Sequence, residues 1–370
     1  MMTIFEKRRI LFLLLALVLA LGLAACGGDE TDTEETDTTE AEEPASGDEE
    51  GEEAEEAADS GETYTMKIGT VTVDPNEQNF FMQEMKRVLE EEAGDRITVE
   101  LYPASQLGTI AQMMQGLQNG SLEAIALPTS FFQPLAPGIG VIDLPYFLPT
   151  GEEAAEILNG EGGAPLREYM ESKGMVPVAL YPTEDSTVWS KDPIETMDDF
   201  KGMKIRTFPN PVSQQTLEVW GASPTMMDSG DVYVGLQQGT IDGIFTQETF
   251  IAAMKLYESL GYNLQAPKVP TILSLMVSKA WFDELPADLQ QLIRDTADEV
   301  TATTVKEYTN NYIAESKQII EEGGVEYLEP SPELSAAMEE ASQAVHEEYK
   351  QSQPEAEEIY NALKAAIEAQ

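Results

Sequence analysis

The stretch "RITVELYPASQLGTIAQMMQGLQNGSLEAIALP", residues 96–128, decides the fold. Ile97, Val99 and Leu101 alternate with other side chains near its start, and this period of two is typical of a β-strand. The stretch divides into that strand, a helical pattern that ends in glycine and a second apolar strand, at 96–103, 108–120 and 122–128. A strand, a helix and a strand in this order predict parallel strands in an α/β fold.

The same alternation continues on both sides of this stretch. Further strands are predicted at 64–73, 174–182, 186–190, 203–206, 222–226, 241–246 and 271–279. Further helices are predicted at 76–93, 211–220, 228–238 and 247–256. From 281 to about 322 the chain has no glycine and no proline beyond Pro286, which predicts one unusually long helix. We expect that helix to cross between two lobes.

The N-terminus has the pattern of a secretion signal. Basic residues at 7–9 precede an uncharged, largely apolar run at 10–25, which is shorter than the ~20 residues that span a bilayer. The motif "LAAC" at 23–26 resembles the lipobox of bacterial lipoproteins, in which the cysteine is acylated. We therefore expect a lipoprotein signal peptide at 1–25 and a lipid anchor on Cys26; the alternative is an ordinary signal peptide with an incidental cysteine.

A low-complexity acidic tract follows the signal. Residues 27–62 are rich in Asp and Glu and contain no Lys or Arg. Charge repulsion and the scarcity of apolar side chains predict an extended, disordered segment. The range 26–62 is therefore interpreted as an acylated cysteine and a disordered acidic tether.

The composition excludes several function classes. A formal net charge of −47 argues against a basic nucleic-acid surface. The chain has a single cysteine and a single histidine, His346, so it offers no intrachain disulfide, Cys/His nucleophile pair, Ser-His-Asp set or His/Cys zinc cluster. His346 lies in an acidic helical segment, where we expect a solvated side chain. We predict a binding protein that is not an enzyme, with no cofactor and no metal.

Six motifs occur in an order that is typical of one family. They are "LYPASQLG" (101–108), "DLPYFLP" (143–149), "DFKGMKIR" (199–206), "WGASPTMM" (220–227), "DVYVGLQQGTIDG" (231–243) and "WFDELPADLQQLI" (281–293). Over 63–370 the chain resembles the substrate-binding proteins of tripartite ATP-independent periplasmic (TRAP) transporters, the DctP-like branch or family 7 of extracellular solute-binding proteins. The resemblance implies a two-lobed α/β periplasmic-binding-protein-like fold, with crossover strands, a long helix spanning both lobes and a ligand cleft between them.

The expected division into lobes follows from the resemblance. Lobe I is expected to comprise 63–184 and 270–308, and lobe II 185–269 and 309–370.

Arg206 is the main candidate for ligand binding. It is the only arginine between Arg167 and Arg294, and it ends the "DFKGMKIR" motif. The resemblance implies that this arginine clamps a substrate carboxylate. A guanidinium is planar and permanently charged, and it can offer a carboxylate two parallel hydrogen bonds. The alternative is that Arg206 pairs with one of the many surface acids.

Further ligand contacts are expected by position in the family. They are Phe208 and Asn210 after Arg206, Trp189 and Ser186 before it, Thr246 after the "DG" pair, and Ser130 and Phe131 at the carboxyl end of the third strand. Each of these residues could instead belong to the core or to a loop.

One departure from the family pattern bears on the ligand. Many relatives carry a second arginine about one strand upstream, but counting back from Arg206 reaches Ser186, and 168–205 contains no arginine. A second carboxylate would need Lys191 or Lys204. We therefore expect a monocarboxylate, such as a 2-hydroxy, 2-keto or aromatic acid.

These features favour an extracytoplasmic solute-binding protein that delivers an organic acid to the membrane subunits of a TRAP-type transporter. It is expected to be a monomer, lipid-anchored to the outer face of the bacterial cell membrane or periplasmic. The alternatives are a ligand-sensing receptor subunit for a signalling kinase and an enzyme acting on an extracellular polymer.

The anchor leads to a first prediction. Cys26→Ala should release the protein to the medium or leave the precursor uncut, because the thiol that carries the acyl chains is lost. Membrane fractionation measures this, with Ser46→Ala in the acidic tract as the matched control. Unchanged membrane association of Cys26→Ala would contradict the anchor.

Overall fold

The computed structural model describes residues 62–208 and 210–370, in which a mixed sheet of nine strands is flanked by helices. The strands are β1 (Tyr64–Gly69), β2 (Ile97–Tyr102), β3 (Ala124–Pro128), β4 (Met175–Ser190), β5 (Lys204–Thr207), β6 (Ser223–Met226), β7 (Gly243–Thr246), β8 (Tyr262–Ser278) and β9 (Glu326–Leu328). The predicted signal peptide, Cys26 and all of the acidic tether but its last residue lie outside the described residues.

The helices alternate with these strands along most of the chain. They are α1 (Glu77–Ala93), α2 (Ile110–Asn119), α3 (Gly151–Asn159), α4 (Ala164–Ser172), α5 (Pro211–Val219), α6 (Val232–Gln238), α7 (Glu248–Ala253), α8 (Lys279–Phe282), α9 (Ala287–Val300), α10 (Lys306–Glu322), α11 (Pro332–Ser352) and α12 (Glu357–Glu368).

The two longest strands, β4 and β8, join the two lobes. They pair antiparallel over almost their whole length, from Val176 opposite Val277 to Trp189 opposite Asn263. The sheet order is β2-β1-β3-β8-β4-β7-β5-β6, with β9 beside β8. Pairing is parallel among β1, β2 and β3 in lobe I and among β5, β6 and β7 in lobe II. The predicted two-lobed α/β fold with crossover strands is confirmed.

The prediction of two short strands at 174–182 and 186–190 is wrong, as is the start of β8 at 271. Prolines lie at 182, 267 and 270, and proline lacks the amide hydrogen that a sheet requires. The structure instead keeps both strands continuous and shifts their register between Pro182 and Asp185 and between Ser186 and Val188. Such irregularities tolerate residues that cannot donate to the ladder.

Both faces of the sheet in lobe I are covered. The alternation predicted for β2 is present, since Ile97 and Val99 are buried and pack with Phe81, Met85 and Leu89 of α1. On the other face, α2, α3 and α4 cover a second apolar cluster.

Lobe II also has a core on each face. Trp220 lies in one of them, where its Nε1 donates a hydrogen bond of 3.1 Å to Ser342 Oγ of α11. The other contains Val232 and Leu236 of α6 with Ile251 of α7.

The predicted long helix is confirmed. The chain is helical without a break from Ala287 to Glu322, through α9, a π-helical turn at Thr301–Val305, and α10. Ile293 packs into the core of lobe I and Ile320 into the core of lobe II, so the helix crosses between the lobes. In the described part of the chain, no helix is both long and apolar enough to span a bilayer.

The C-terminal helices differ from the predicted division, which assigned 309–370 to lobe II. In α11, Met338 packs into the core of lobe II, while Val345 and Tyr349 pack into the core of lobe I. Ile359 and Leu363 of α12 also lie in the lobe I core. The chain therefore crosses between the lobes once more through α11.

The expectation of a solvated His346 is wrong. Its side chain is 5% exposed, with Nε2 2.8 Å from the carbonyl oxygen of Pro145 and Nδ1 3.4 Å from the Tyr360 hydroxyl. Burial lowers the pKa of the imidazole. The acidic neighbours in sequence concealed that His346 lies on the inward face of α11.

A second prediction tests how the long helix is anchored. Ile293→Ala should lower the free energy of unfolding by about 2–5 kcal/mol, because it opens a cavity in a packed core. Ile319→Ala, on the same continuous helix, should change it by less than about 0.5 kcal/mol. Ile293 is 0% exposed and Ile319 is 45% exposed, so the pair differs in burial and not in chemistry. Urea denaturation measures both; equal losses would mean that α9 is not held by the lobe I core.

Candidate ligand-binding cleft

Arg206 lies near the carboxyl end of β5, between β6 and β7. Its neighbours across the sheet are Thr225 and Ile244. The side chain is 0% exposed, which is unusual for an arginine. No carboxylate of the described residues lies within ion-pair distance of it, whereas Arg87, Arg96 and Arg294 each have such a partner. Among the described residues, Arg206 is thus a buried cation without a carboxylate in direct contact.

Two hydrogen bonds and two aromatic rings fix the plane of the Arg206 guanidinium. Nε donates to the carbonyl oxygen of Met227 at 2.9 Å, and Nη2 donates to Ser229 Oγ at 3.4 Å. The guanidinium carbon lies 4.1 Å from the ring centroid of Phe208 and 5.6 Å from that of Phe250.

The third nitrogen of this guanidinium, Nη1, is buried and has no hydrogen-bond partner among the described residues. Burial lowers the pKa of Arg206 to about 10, and Asp228 partly opposes the shift, so the group stays charged at neutral pH. Burying an unpaired charge is costly unless an opposite charge compensates it. The arrangement is therefore suited to a bound anion.

The cleft that contains Arg206 consists of two adjoining cavities. The first, of about 640 Å³, is lined by Arg206 and Ser229 of lobe II and by Met114 of lobe I. The second, of about 570 Å³, extends toward α1, α7 and α10. They share four lining residues, namely Val71, Phe131, Phe208 and Ser229. We call them the first cavity and the second cavity, and together the cleft.

Five of the residues expected beside Arg206 line these spaces. Phe131 and Phe208 line both cavities, with ring centroids 5.7 Å apart. Ser130, Ser186 and Asn210 line a smaller space of about 40 Å³, which also touches the two phenylalanines. The structure thus brings residues from both lobes together around the cleft.

Asn210 is already committed to structural contacts. Its Oδ1 accepts from the backbone amide of Ser213, 3.1 Å away, and caps α5. Its Nδ2 donates to Asp143 Oδ2 at 3.1 Å, and Gln133 donates to the same oxygen. Burial raises the pKa of Asp143 to about 7 against the effect of these two amides. Asn210 therefore ties the segment after Arg206 to lobe I.

Trp189 and Thr246 do not line any of these spaces. Trp189 is fully buried among Val232, Leu236 and Tyr327, and its Nε1 donates to the carbonyl oxygen of Thr246 at 3.1 Å. The Thr246 hydroxyl is buried and donates to Gln247 Oε1 at 3.0 Å. The structure places both in the core of lobe II, behind the cleft, because Trp189 projects from the face of β4 that α6 covers.

The comparison with known proteins fits this architecture. Residues 69–352 match the family described as bacterial extracellular solute-binding protein, family 7, or DctP.

The chain belongs to this family.

Two curated relatives in the family have named ligands. The chain is 27% identical over 274 residues to the 2,3-diketo-L-gulonate-binding periplasmic protein of Escherichia coli, covering 71% of this chain and 80% of that protein. It is 28% identical over 258 residues to the C4-dicarboxylate-binding periplasmic protein of Rhodobacter capsulatus, covering 68% and 76%.

A solved structure of the same fold is the TRAP periplasmic solute-binding protein from Sulfitobacter sp. NAS-14.1, which holds β-D-galacturonate. The TM-score is 0.75 at 24% identity, over 81% of this chain and 99% of that one. At this level of identity the likeness shows the fold, which is two-lobed.

The lysines considered for a second carboxylate are engaged elsewhere in this family 7 protein. Lys191 donates to the carbonyl oxygens of Leu236, at 2.6 Å, and Ile241, at 3.3 Å. Lys204 donates to the carbonyl oxygen of Gly239 at 3.2 Å. Neither lysine lines the cleft. Within the described residues, no group of three or more His, Cys, Asp and Glu side chains could hold a metal ion.

Several residues of the cleft were missed by the sequence analysis. Ser229 and the carbonyl group of Met227 reach Arg206 from the segment after β6, where the sequence analysis assigned a motif at 220–227 and a helix at 228–238 but no ligand contact. Gln247 lines the cleft one residue after the predicted Thr246, and its Nε2 donates to Thr271 Oγ1 at 2.9 Å. Only the proximity of Gln247 to the "DG" pair could have indicated it.

Proposed function

We propose that this family 7 protein captures an organic acid in the cleft, with Arg206 holding the carboxylate, and delivers it to the membrane subunits of a TRAP-type transporter. The observation that carries the proposal is the fully buried guanidinium of Arg206, whose Nη1 faces no partner in the described chain. A bound carboxylate would supply the missing counter-charge and acceptors. The organic acids in the names of the two relatives support this class of ligand.

The contacts of Arg206 explain how it would select a carboxylate. Nε and one hydrogen of Nη2 are held by Met227 and Ser229, which leaves both hydrogens of Nη1 and one of Nη2 for a ligand. These remaining donors lie in one plane and match the two oxygens of a carboxylate. The aromatic ring of Phe208 holds that plane in place, so little side-chain freedom is lost on binding.

The rest of the cleft would select the remainder of the ligand. Phe131 and Phe208 offer apolar walls, and Gln247 offers hydrogen bonds in the second cavity. Ser130 and Ser186 offer hydroxyl groups in the adjoining space of about 40 Å³. Ser186 stands where the resemblance implies a second arginine in many relatives. The neutral hydroxyl at that position supports a ligand with one carboxylate. Trp189 and Thr246 would act only indirectly, by supporting the walls of the cleft.

The two lobes would close on the ligand. The cleft is walled by both lobes, and the connections between them are strands and helices that can bend as a hinge. Closure would remove water from the pair between Arg206 and the carboxylate and strengthen it. For the cellular setting, we propose a monomer held at the outer face of the membrane by acylated Cys26, with 27–62 as the tether.

A third prediction tests the clamp. The ligand that co-purifies with the protein is first identified by mass spectrometry and then titrated by calorimetry. Arg206→Ala should weaken its binding by about 2–5 kcal/mol, because the mutation leaves one half of a buried charge pair alone. That range corresponds to roughly 30-fold to several-thousand-fold in the dissociation constant. Arg206→Lys should recover only part of the loss, since an ammonium lacks the planar fork.

Arg87→Ala is the matched control, because the Arg87 side chain is 57% exposed and pairs only with acids of its own helix. It should leave binding unchanged. If Arg206→Ala binds the ligand within threefold of the wild type, Arg206 does not hold the carboxylate.

A fourth prediction concerns the number of carboxylates. Succinate, malate and fumarate should raise the melting temperature less than the best monocarboxylate in a panel of lactate, pyruvate, branched 2-keto acids and benzoate-like acids. The reason is that a second buried carboxylate would find no cation and would lose several kcal/mol of solvation. A larger shift from the dicarboxylates than from every monocarboxylate would overturn this specificity.

A further inference from the structure

The two cavities of the cleft differ in charge. The first is lined by the buried Arg206 and by one acid, the exposed Asp228. The second is lined by three acids, Asp74, Glu77 and Glu315, and by no lysine or arginine of the described residues. Asp74 and Glu315 are exposed at its mouth, whereas Glu77 is 7% exposed. The cleft therefore has a buried cation in one cavity and a buried acid in the other.

Burial raises the pKa of the Glu77 carboxyl, and a hydrogen bond from its own backbone amide partly opposes the shift. Glu77 is the first residue of α1, but the N-cap role is filled by Asn76, whose Oδ1 accepts from the amide of Gln78 at 2.9 Å. Its Oε2 has no hydrogen-bond partner among the described residues. No ion pair to Glu77 is present in the part of the chain that the structure describes, although buried carboxylates are normally paired or hydrogen-bonded.

The segment that carries Glu77 is held firmly in place. The Thr70 hydroxyl donates to Gln78 Oε1 at 3.1 Å, and the Thr72 hydroxyl donates to Asn79 Oδ1 at 3.0 Å. These bonds join the loop after β1 to the two residues that follow Glu77 in the first turn of α1. They hold the backbone from which the Glu77 side chain extends into the wall of the second cavity.

The surroundings of Glu77 add acidic and aromatic groups. Glu77 and Glu184 are close enough that the charge of Glu77 raises the pKa of Glu184, after the larger effect of burial. Tyr312 lines the second cavity, and its ring lies 5.9 Å from that of Tyr308. Phe250 lines it as well. Carboxyl oxygens together with aromatic faces form the environment in which organic cations are held.

We infer that the second cavity takes a protonated nitrogen of the ligand, so that the ligand is a zwitterion whose carboxylate lies on Arg206 and whose ammonium or amidinium N–H donates to Glu77. The inference rests on the proposed function and narrows its ligand class. Each end of such a molecule compensates one buried, unpartnered group of the cleft. A dicarboxylate would instead bring a second negative charge to a wall that already holds three acids.

The test uses matched small molecules on the full chain. The series from 3-aminopropanoate to 6-aminohexanoate varies the spacing between the two charges, and each compound is compared with the unsubstituted alkanoate and the dicarboxylate of the same length. At the best spacing, the amino acid should bind at least about 30-fold more tightly than its alkanoate, as expected for completing a buried charge pair. Thermal shift selects the length, and calorimetry gives the affinity.

Three variants test which side chain holds the protonated nitrogen of the ligand. Glu77→Gln keeps the shape of the side chain and removes its charge. It should weaken binding of the amino acid by about 30-fold or more and keep the affinity for the alkanoate within about threefold of the wild type. Glu92→Gln removes the same charge from an exposed position of α1 that lines neither cavity, and it should change both affinities by less than about threefold. Arg206→Ala should weaken both classes, because both carry the carboxylate.

Two outcomes separate this inference from the proposed function. If no amino acid of any length binds better than its alkanoate, or if Glu77→Gln leaves the best amino acid unaffected while Arg206→Ala weakens it, the ligand is a carboxylate without a cation and only the present inference fails. If Arg206→Ala leaves every compound unaffected, the proposed function fails and this inference fails with it.

Discussion

The antiparallel pairing of β4 with β8 is the constraint on which the rest of the structure depends. Each strand begins in one lobe and ends in the other, so one ladder of hydrogen bonds belongs to both cores. β7 pairs with the lobe II end of β4 and in turn holds β5, so the position of Arg206 is set relative to lobe I through this ladder. The register of the long pair is interrupted between Pro182 and Val188, and Ser186 in this segment lines the small space of about 40 Å³ beside the cleft.

The cleft combines charges that the fold does not neutralise. Arg206 and Glu77 are both buried, and each keeps one side-chain atom without a partner among the described residues. A folded chain can tolerate such groups only where other interactions hold them, here Met227 and Phe208 around the arginine and the Thr70–Gln78 bond beside the acid. These contacts hold both charged groups in position before a ligand binds.

Periodicity and motif order made much of the fold predictable. The strand and helix pattern of 96–128 and the glycine-free run after Pro286 indicated β2, α2, β3 and the long helix, because apolar spacing reports which face is buried. The continuity of β4 and β8 was not predictable, since proline at a register shift looks the same in sequence as proline at a strand end. In the site, Arg206 stood out as an isolated cation, whereas Glu77 was one acid among 68. Only its burial distinguishes it.

The helix α11 places Met338 in one core and Tyr349 in the other, and the long helix and the two long strands make the same crossing. Neither lobe is consequently an uninterrupted stretch of chain. No stretch of chain between two successive crossings contains a complete lobe, because each core also takes residues from beyond a crossing. We therefore expect the two lobes to fold together, and neither lobe to be exchangeable as an independent module.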